Sequence, residues 1–178
     1  MGSVNSVVPT DDKQTAPLAL VALKVRSGDI IDAVTPVFAE VTPDLKLQNR
    51  KYGLQVGGTG GGETQLEQAE WYIMTGIDVV RGHYFGRDEV IHVQVFWHKL
   101  TPQGVDSTTE IHSDKLGSGN YATSPKLSTF RVAPGNYISD LSLSYSHHTS
   151  GETFINNITV QQQKLPTWLE SSIKSESL

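Results

Sequence analysis

The feature that most constrains this chain is a strict two-residue alternation. Across 89–98, Ile91, Val93, Val95 and Trp97 interleave with His92, Gln94, Phe96 and His98; across 139–145, Leu141, Leu143 and Tyr145 interleave with Ser142 and Ser144. A period of two sends alternate side chains to opposite faces of an extended chain, and β-branched and aromatic enrichment marks half-buried strands. No stretch of the central region carries a helical period, so the chain is expected to be all-β. The apolar runs pair around turn glycines: 18–25 and 30–41 around Gly28, 72–80 and 90–100 around Gly82 and Gly86, and 136–145 and 154–161 around Gly151. Gly28, Gly86 and Gly151 lie 58 and 65 residues apart, which is a weak internal repeat. Three hairpin units predict three sheets around a pseudo-threefold axis, sharing one core and leaving few exposed edges. A two-sheet sandwich is the alternative architecture.

A length of 178 residues suits one domain with a real core. Residues 1–16 are polar around Pro9, Asp11 and Asp12 and read as a flexible N-terminal tail; 17–165 read as the domain and 166–178 as a C-terminal tail. In that last segment Thr167-Trp168-Leu169-Glu170 has the spacing of a helix-opening capping box. The net charge of −5 argues against nucleic acid or an anionic membrane surface as a partner. No apolar run approaches the roughly 20 residues of a membrane span, so no membrane insertion is expected. Met1-Gly2-Ser3-Val4-Asn5-Ser6 lacks the basic-then-apolar form of a secretory signal, so the chain reads as cytoplasmic, or as secreted without a visible signal. With no cysteine there is no disulfide and no thiol chemistry.

Two segments carry the chemistry. The turn Arg26-Ser27-Gly28-Asp29-Ile30-Ile31-Asp32-Ala33 sets two acids between apolar strands, and Gly57-Gly58-Thr59-Gly60-Gly61-Gly62 offers backbone amides with no side chain in the way. Together they suit a ligand rich in hydroxyls. Taken alone, Asp32 also reads as a turn acid that caps local amides, and the glycine cluster as a flexible connector. Other signals are weaker. His92 and His98 share a strand face but stand about 20 Å apart at strand rise, too far to hold one ion. His147 and His148 have no acidic or cysteine partners in sequence and read as solvated. Asp29 and Asp32 lie on one small turn rather than across a cleft, so no glycosidase is expected. The Asn157-Ile158-Thr159 sequon falls inside an expected strand.

The segment Leu20 to Ala33 resembles the last hairpin of jacalin-related lectins, with Gly28 to Asp32 matching that family's Gly-x-x-x-Asp sugar loop. The stretch 56–62 is similar to its glycine-rich first loop. Phe130 to Ile138 resembles its strand leading to a Glu-Tyr-Ile-type element, and Phe154 to Val160 the strand that follows. The sugar loop precedes the glycine loop here, a permutation relative to many plant members. The resemblance implies a β-prism I fold, three four-stranded antiparallel sheets with pseudo-threefold symmetry. It implies a carbohydrate-binding lectin with no cofactor and no metal, whose partners are glycans of glycoproteins or polysaccharides. Its site would be Gly28, Asp29, Ile30, Asp32 and Gly61, with the amides of Asp29 and Ile30 donating and a solvent-facing Asp32 carboxylate accepting. The aliphatic loop interior Asp29-Ile30-Ile31 and the internal glycine cluster match the mannose/glucose type. Only one of the three turns fits, so one site per chain and a homo-oligomer are expected. A structural or coat protein that reuses the prism without sugar, or a receptor-targeting module, is the alternative function.

Overall fold

The computed structural model describes residues 2–166, which hold thirteen strands and no helix. In chain order these are β1 (Gly2–Val4), β2 (Leu18–Ser27), β3 (Ile31–Val41), β4 (Leu47–Tyr52), β5 (Val56–Gly57), β6 (Gly62–Leu66) and β7 (Tyr72–Tyr84). They continue as β8 (Arg87–Thr101), β9 (Gly104–Val105), β10 (Ile111–His112), β11 (Ala122–Arg131), β12 (Asn136–His147) and β13 (Thr153–Lys164). All pairings are antiparallel and form three sheets, each built on one of the expected hairpins: β2–β3, β7–β8 and β12–β13. The all-β, three-sheet architecture is therefore the one expected. The strand tally is uneven rather than four per sheet. One sheet has three strands in the order β1-β12-β13; the others have five, because β5 adds to the edge of β3 and β9 to the edge of β8. The capping-box segment 167–170 lies outside the described residues.

The inner faces of the three sheets meet in one core. Leu20, Leu23, Val34 and Phe38 from the first sheet pack with Ile77, Val93, Val95 and Trp97 from the second and Ile138, Leu141 and Ile155 from the third. Each such side chain is worth about 1.5–3 kcal/mol when fully buried. The indole of Trp97 also donates to the Val21 carbonyl at 2.8 Å, tying two sheets together while satisfying its only polar group. Strand β3 is buried on nearly every residue, since Val37 and Ala39 pack with Val21 and Ala22 in a separate cluster. That double burial is why 18–25 and 30–41 read as continuous apolar runs rather than alternating ones. Pro36 sits inside β3, at the gap between partners β5 (Val34↔Val56) and β4 (Val37↔Tyr52), where a missing N–H breaks no ladder.

Two boundaries differ from the sequence reading. The hairpin around Gly86 is longer than expected: β7 runs to Tyr84, so Gly82 lies in the strand and only Phe85-Gly86 form the turn. The segment 1–16 is not a free tail. Strand β1 pairs with β12 from Gly2↔Tyr145 to Val4↔Leu143, and Val7 is wholly buried in the core. The Val7 amide donates to the buried Asp140 carboxylate at 2.9 Å, and its carbonyl accepts from Leu54 at 2.9 Å. Three paired residues are too few to show a period, and Val7 is held by partners distant in sequence, Leu54 and Asp140.

Candidate functional site at the Gly28 to Asp32 turn

The β2–β3 hairpin closes through Gly28, Asp29 and Ile30, with the Gly28 amide donating to the Ile30 carbonyl at 3.0 Å. The glycine cluster runs alongside. It leaves the edge of β3 at Gly57 (paired with Ala33) and rejoins the sheet at Gly62 (paired with Ser27), so residues 58–61 arch over the turn. The Gly58 amide donates to the Asp32 carbonyl at 2.9 Å. Arg26 fixes the crest: Nε donates to the Gly60 carbonyl at 3.0 Å and Nη2 to the Gly61 carbonyl at 2.8 Å. The cluster is thus a clamped wall rather than a loose connector.

The glycines are there because the wall leaves no room for a Cβ. One on Gly60 would stand 2.6 Å from Asp32 Oδ2, and one on Gly61 would stand 2.8 Å from Asp32 Oδ1 and 2.6 Å from the Ser27 carbonyl oxygen. Gly61 also has φ +71, a conformation that L side chains resist. Gly28 faces the same wall, its missing Cβ 3.9 Å from the Gly61 Cα. The structure therefore brings Gly28, Asp32 and Gly61 together.

Asp32 differs from expectation in one respect. It does not lie open to solvent; it is 4% exposed, under the glycine arch. Among the described residues its carboxylate makes no hydrogen bond. Burial, reinforced by the charge of Glu152, pushes its pKa up to about 6 against the pull of Arg26, and Asp29 adds to the rise. Asp29 has a different role. Its carboxylate accepts from the Tyr84 hydroxyl at 3.1 Å and from Ser118 Oγ at 3.5 Å, which leaves its backbone rather than its side chain to meet a ligand. Burial and the Asp29 bond push the Tyr84 phenol up to about 12, so it stays a donor. Ile30 turns its side chain into an apolar cluster with Ile91 and Phe154, again leaving the backbone. Among the described residues, the amides of Asp29, Ile30 and Gly61 donate to no other backbone or side-chain group.

Four neighbours of the site went unread in the sequence. Arg26 stood within the turn motif, but nothing in its spacing showed that it reaches 34 positions ahead. Tyr84, Ser118 and Glu152 come from the second and third sheets and adjoin the turn only in space. The segment 117–119 docks on it directly, Ser118 donating its amide to the Gly28 carbonyl at 2.9 Å and Gly119 to the Asp29 carbonyl at 2.8 Å. His148, expected to be solvated, is packed against Tyr84 and Phe154, with Nε2 3.8 Å from Oε2 of the fully buried Glu89. Among the described residues, no group of three His, Cys, Asp or Glu side chains could hold a metal ion.

No protein-family model matches the chain, and no curated protein sequence is similar to it. Solved structures are. A mannose-binding jacalin-related lectin from Ananas comosus, AcmJRL, superposes with a TM-score of 0.55 at 13% identity, over 92% of this chain and 97% of its own. The second β-prism domain of RbmC from V. cholerae, solved with N-acetylglucosaminyl-β-1,2-mannose, gives 0.51 at 18% identity, over 90% of this chain and 91% of its own. The V. cholerae biofilm matrix protein Bap1 gives 0.51 at 16% identity; it matches 93% of this chain, which spans only 24% of Bap1.

Proposed function

We propose that this chain, which has the β-prism fold of the jacalin-related lectins, is a carbohydrate-binding protein. Its site is the cup formed by Gly28, Asp29, Ile30, Asp32 and Gly61, and it takes mannose- or glucose-type pyranoses without a metal. The observation that carries this reading is the Asp32 carboxylate, largely buried beneath a wall of residues that lack Cβ atoms, accepting no hydrogen bond from the described residues, and not sealed from solvent. A largely buried carboxylate with no protein partner is costly, and a ligand that supplies hydroxyl donors offsets that cost. An ionised carboxylate only accepts, so it can take two adjacent sugar hydroxyls, while the amides of Asp29, Ile30 and Gly61 donate to ring and hydroxyl oxygens. The structural relatives, a mannose-binding lectin and a domain holding a mannose-containing disaccharide, support the same ligand class.

Titration calorimetry with methyl α-mannoside and methyl α-glucoside, with a glycan array alongside, tests the reading. Binding should be unaffected by chelator and lost in Asp32→Ala. An array that stays silent with the folded wild-type chain would sink it, and would favour a structural or receptor-targeting use of the same fold.

A further inference from the structure

Five non-glycine residues among the described ones have positive φ, and two of them, Phe85 (φ 45) and Tyr121 (φ 64), are aromatic. Both are also among the most exposed large side chains, at 68% and 75%. Phe85 is the first residue of the two-residue turn between Tyr84 and Arg87, a place where Asn or Gly is the unstrained choice. Tyr121 lies in the turn closed by the Ala122 amide on the Gly119 carbonyl at 3.2 Å, again where Gly or Asn would sit without strain. Left-handed backbone at a bulky residue costs free energy, and nothing is gained from burying either ring. Strain of this kind persists mainly where it displays a group for use.

The two rings belong to different turns yet stand side by side, their centroids 6.0 Å apart at 40°. Tyr84, edge-on to Phe85 at 4.7 Å, hydrogen-bonds Asp29, and the segment carrying Tyr121 is the one docked on the Gly28 and Asp29 carbonyls. The pair therefore adjoins the supports of the cup on both sides, Phe85 next to Tyr84 in sequence and Tyr121 two residues beyond Gly119. A pyranose has an apolar face of C–H groups that suits the electron-rich face of an aromatic ring.

We propose that Phe85 and Tyr121 form a second subsite, an aromatic shelf that stacks the next sugar ring of a glycan whose first ring occupies the cup. This rests on the carbohydrate reading of the cup. It makes the protein selective for oligosaccharides over single sugars, through apolar contact that the cup itself lacks.

The test compares methyl α-mannoside with mannobiose and mannotriose by titration calorimetry, using wild type, Phe85→Asn, Tyr121→Asn and the double variant. Asparagine tolerates the left-handed backbone, so these chains should fold at least as stably, and Phe85→Trp and Tyr121→Phe keep an aromatic face. The monosaccharide constant should hold in every variant. Oligosaccharide affinity should fall about two- to tenfold in the Asn variants and hold in Phe85→Trp and Tyr121→Phe. An equal fall for mono- and oligosaccharides, or unchanged discrimination in the double variant, would overturn the shelf while leaving the cup intact. Loss of self-association with discrimination intact would make the rings a contact between copies and overturn it too. Failure of the wild type to bind any of the three sugars would remove the carbohydrate reading itself, and the shelf with it.

Discussion

At Asp32 the demands of stability and of ligand contact point in opposite directions. Its pKa, pushed up to about 6 by burial, lies above the 3.8 of an unperturbed aspartate. Between those values the folded chain still holds a proton that the unfolded chain has released, so this group makes stability fall as pH rises from about 4 to 6. Sugar binding through the ionised carboxylate should run the other way and strengthen as pH rises through about 6. Asp32→Asn should therefore raise Tm at pH 7, flatten the acid limb of the stability profile and abolish glycan binding; thermal melts from pH 4 to 8 beside calorimetry check all three. A variant that melts lower than wild type at pH 7 would contradict the burial argument. Residue identity at the turn was legible in the sequence because Gly-x-x-x-Asp is a local pattern. The burial of Asp32 was not, since it comes from an arch held in place by Arg26.

Among the elements, the glycine arch separates positions that must lack a Cβ from those that merely do. Gly61 combines φ +71 with a would-be Cβ 2.6 Å from Ser27 backbone atoms, whereas nothing lies within 4 Å of one on Gly62. Gly61→Ala should cost about 1–2 kcal/mol from the left-handed backbone alone, with the contact to Ser27 adding to it, and should remove sugar binding. Gly62→Ala should change neither measurably. Denaturant titration of the pair decides this, and equal effects would show that the arch is looser than the Arg26 hydrogen bonds require. The three long hairpins were legible because eight or more residues of apolar pattern accumulate on each arm. The two-residue strands β5, β9 and β10 were not, because their place is set by the strands they lie against. The N-terminal strand β1 escaped for the same reason, its polar surroundings at Pro9, Asp11 and Asp12 outweighing the short apolar anchor of Val4, Val7 and Val8.

On the scale of the whole molecule, the proposed single cup per chain would limit affinity. A few hydrogen bonds, each netting about 0.5–1.5 kcal/mol against water, point to a single-site constant in the millimolar range, about −4 kcal/mol. Linking sites raises apparent affinity by roughly 10²–10⁴. A chain that acts on glycan-coated surfaces is therefore expected to self-associate and to agglutinate mannose-bearing cells, reversibly with free mannose. Sedimentation velocity with an agglutination assay tests this, and a strict monomer with no agglutination would defeat it. The three-sheet plan was legible from the repeat of hairpins, but the convergence of parts of all three sheets at one end was not, because it depends on how the sheets close. That convergence has a practical outcome. Gly28 to Asp32 and the arch come from the first sheet, the Tyr84 and Ser118 braces from the second, and the Glu152 charge from the third. A truncated or misassembled chain lacks part of the set, so if the cup takes mannose as proposed, retention on a mannose resin sorts correctly closed molecules from all others, and ligand capture serves as a quality check on folding.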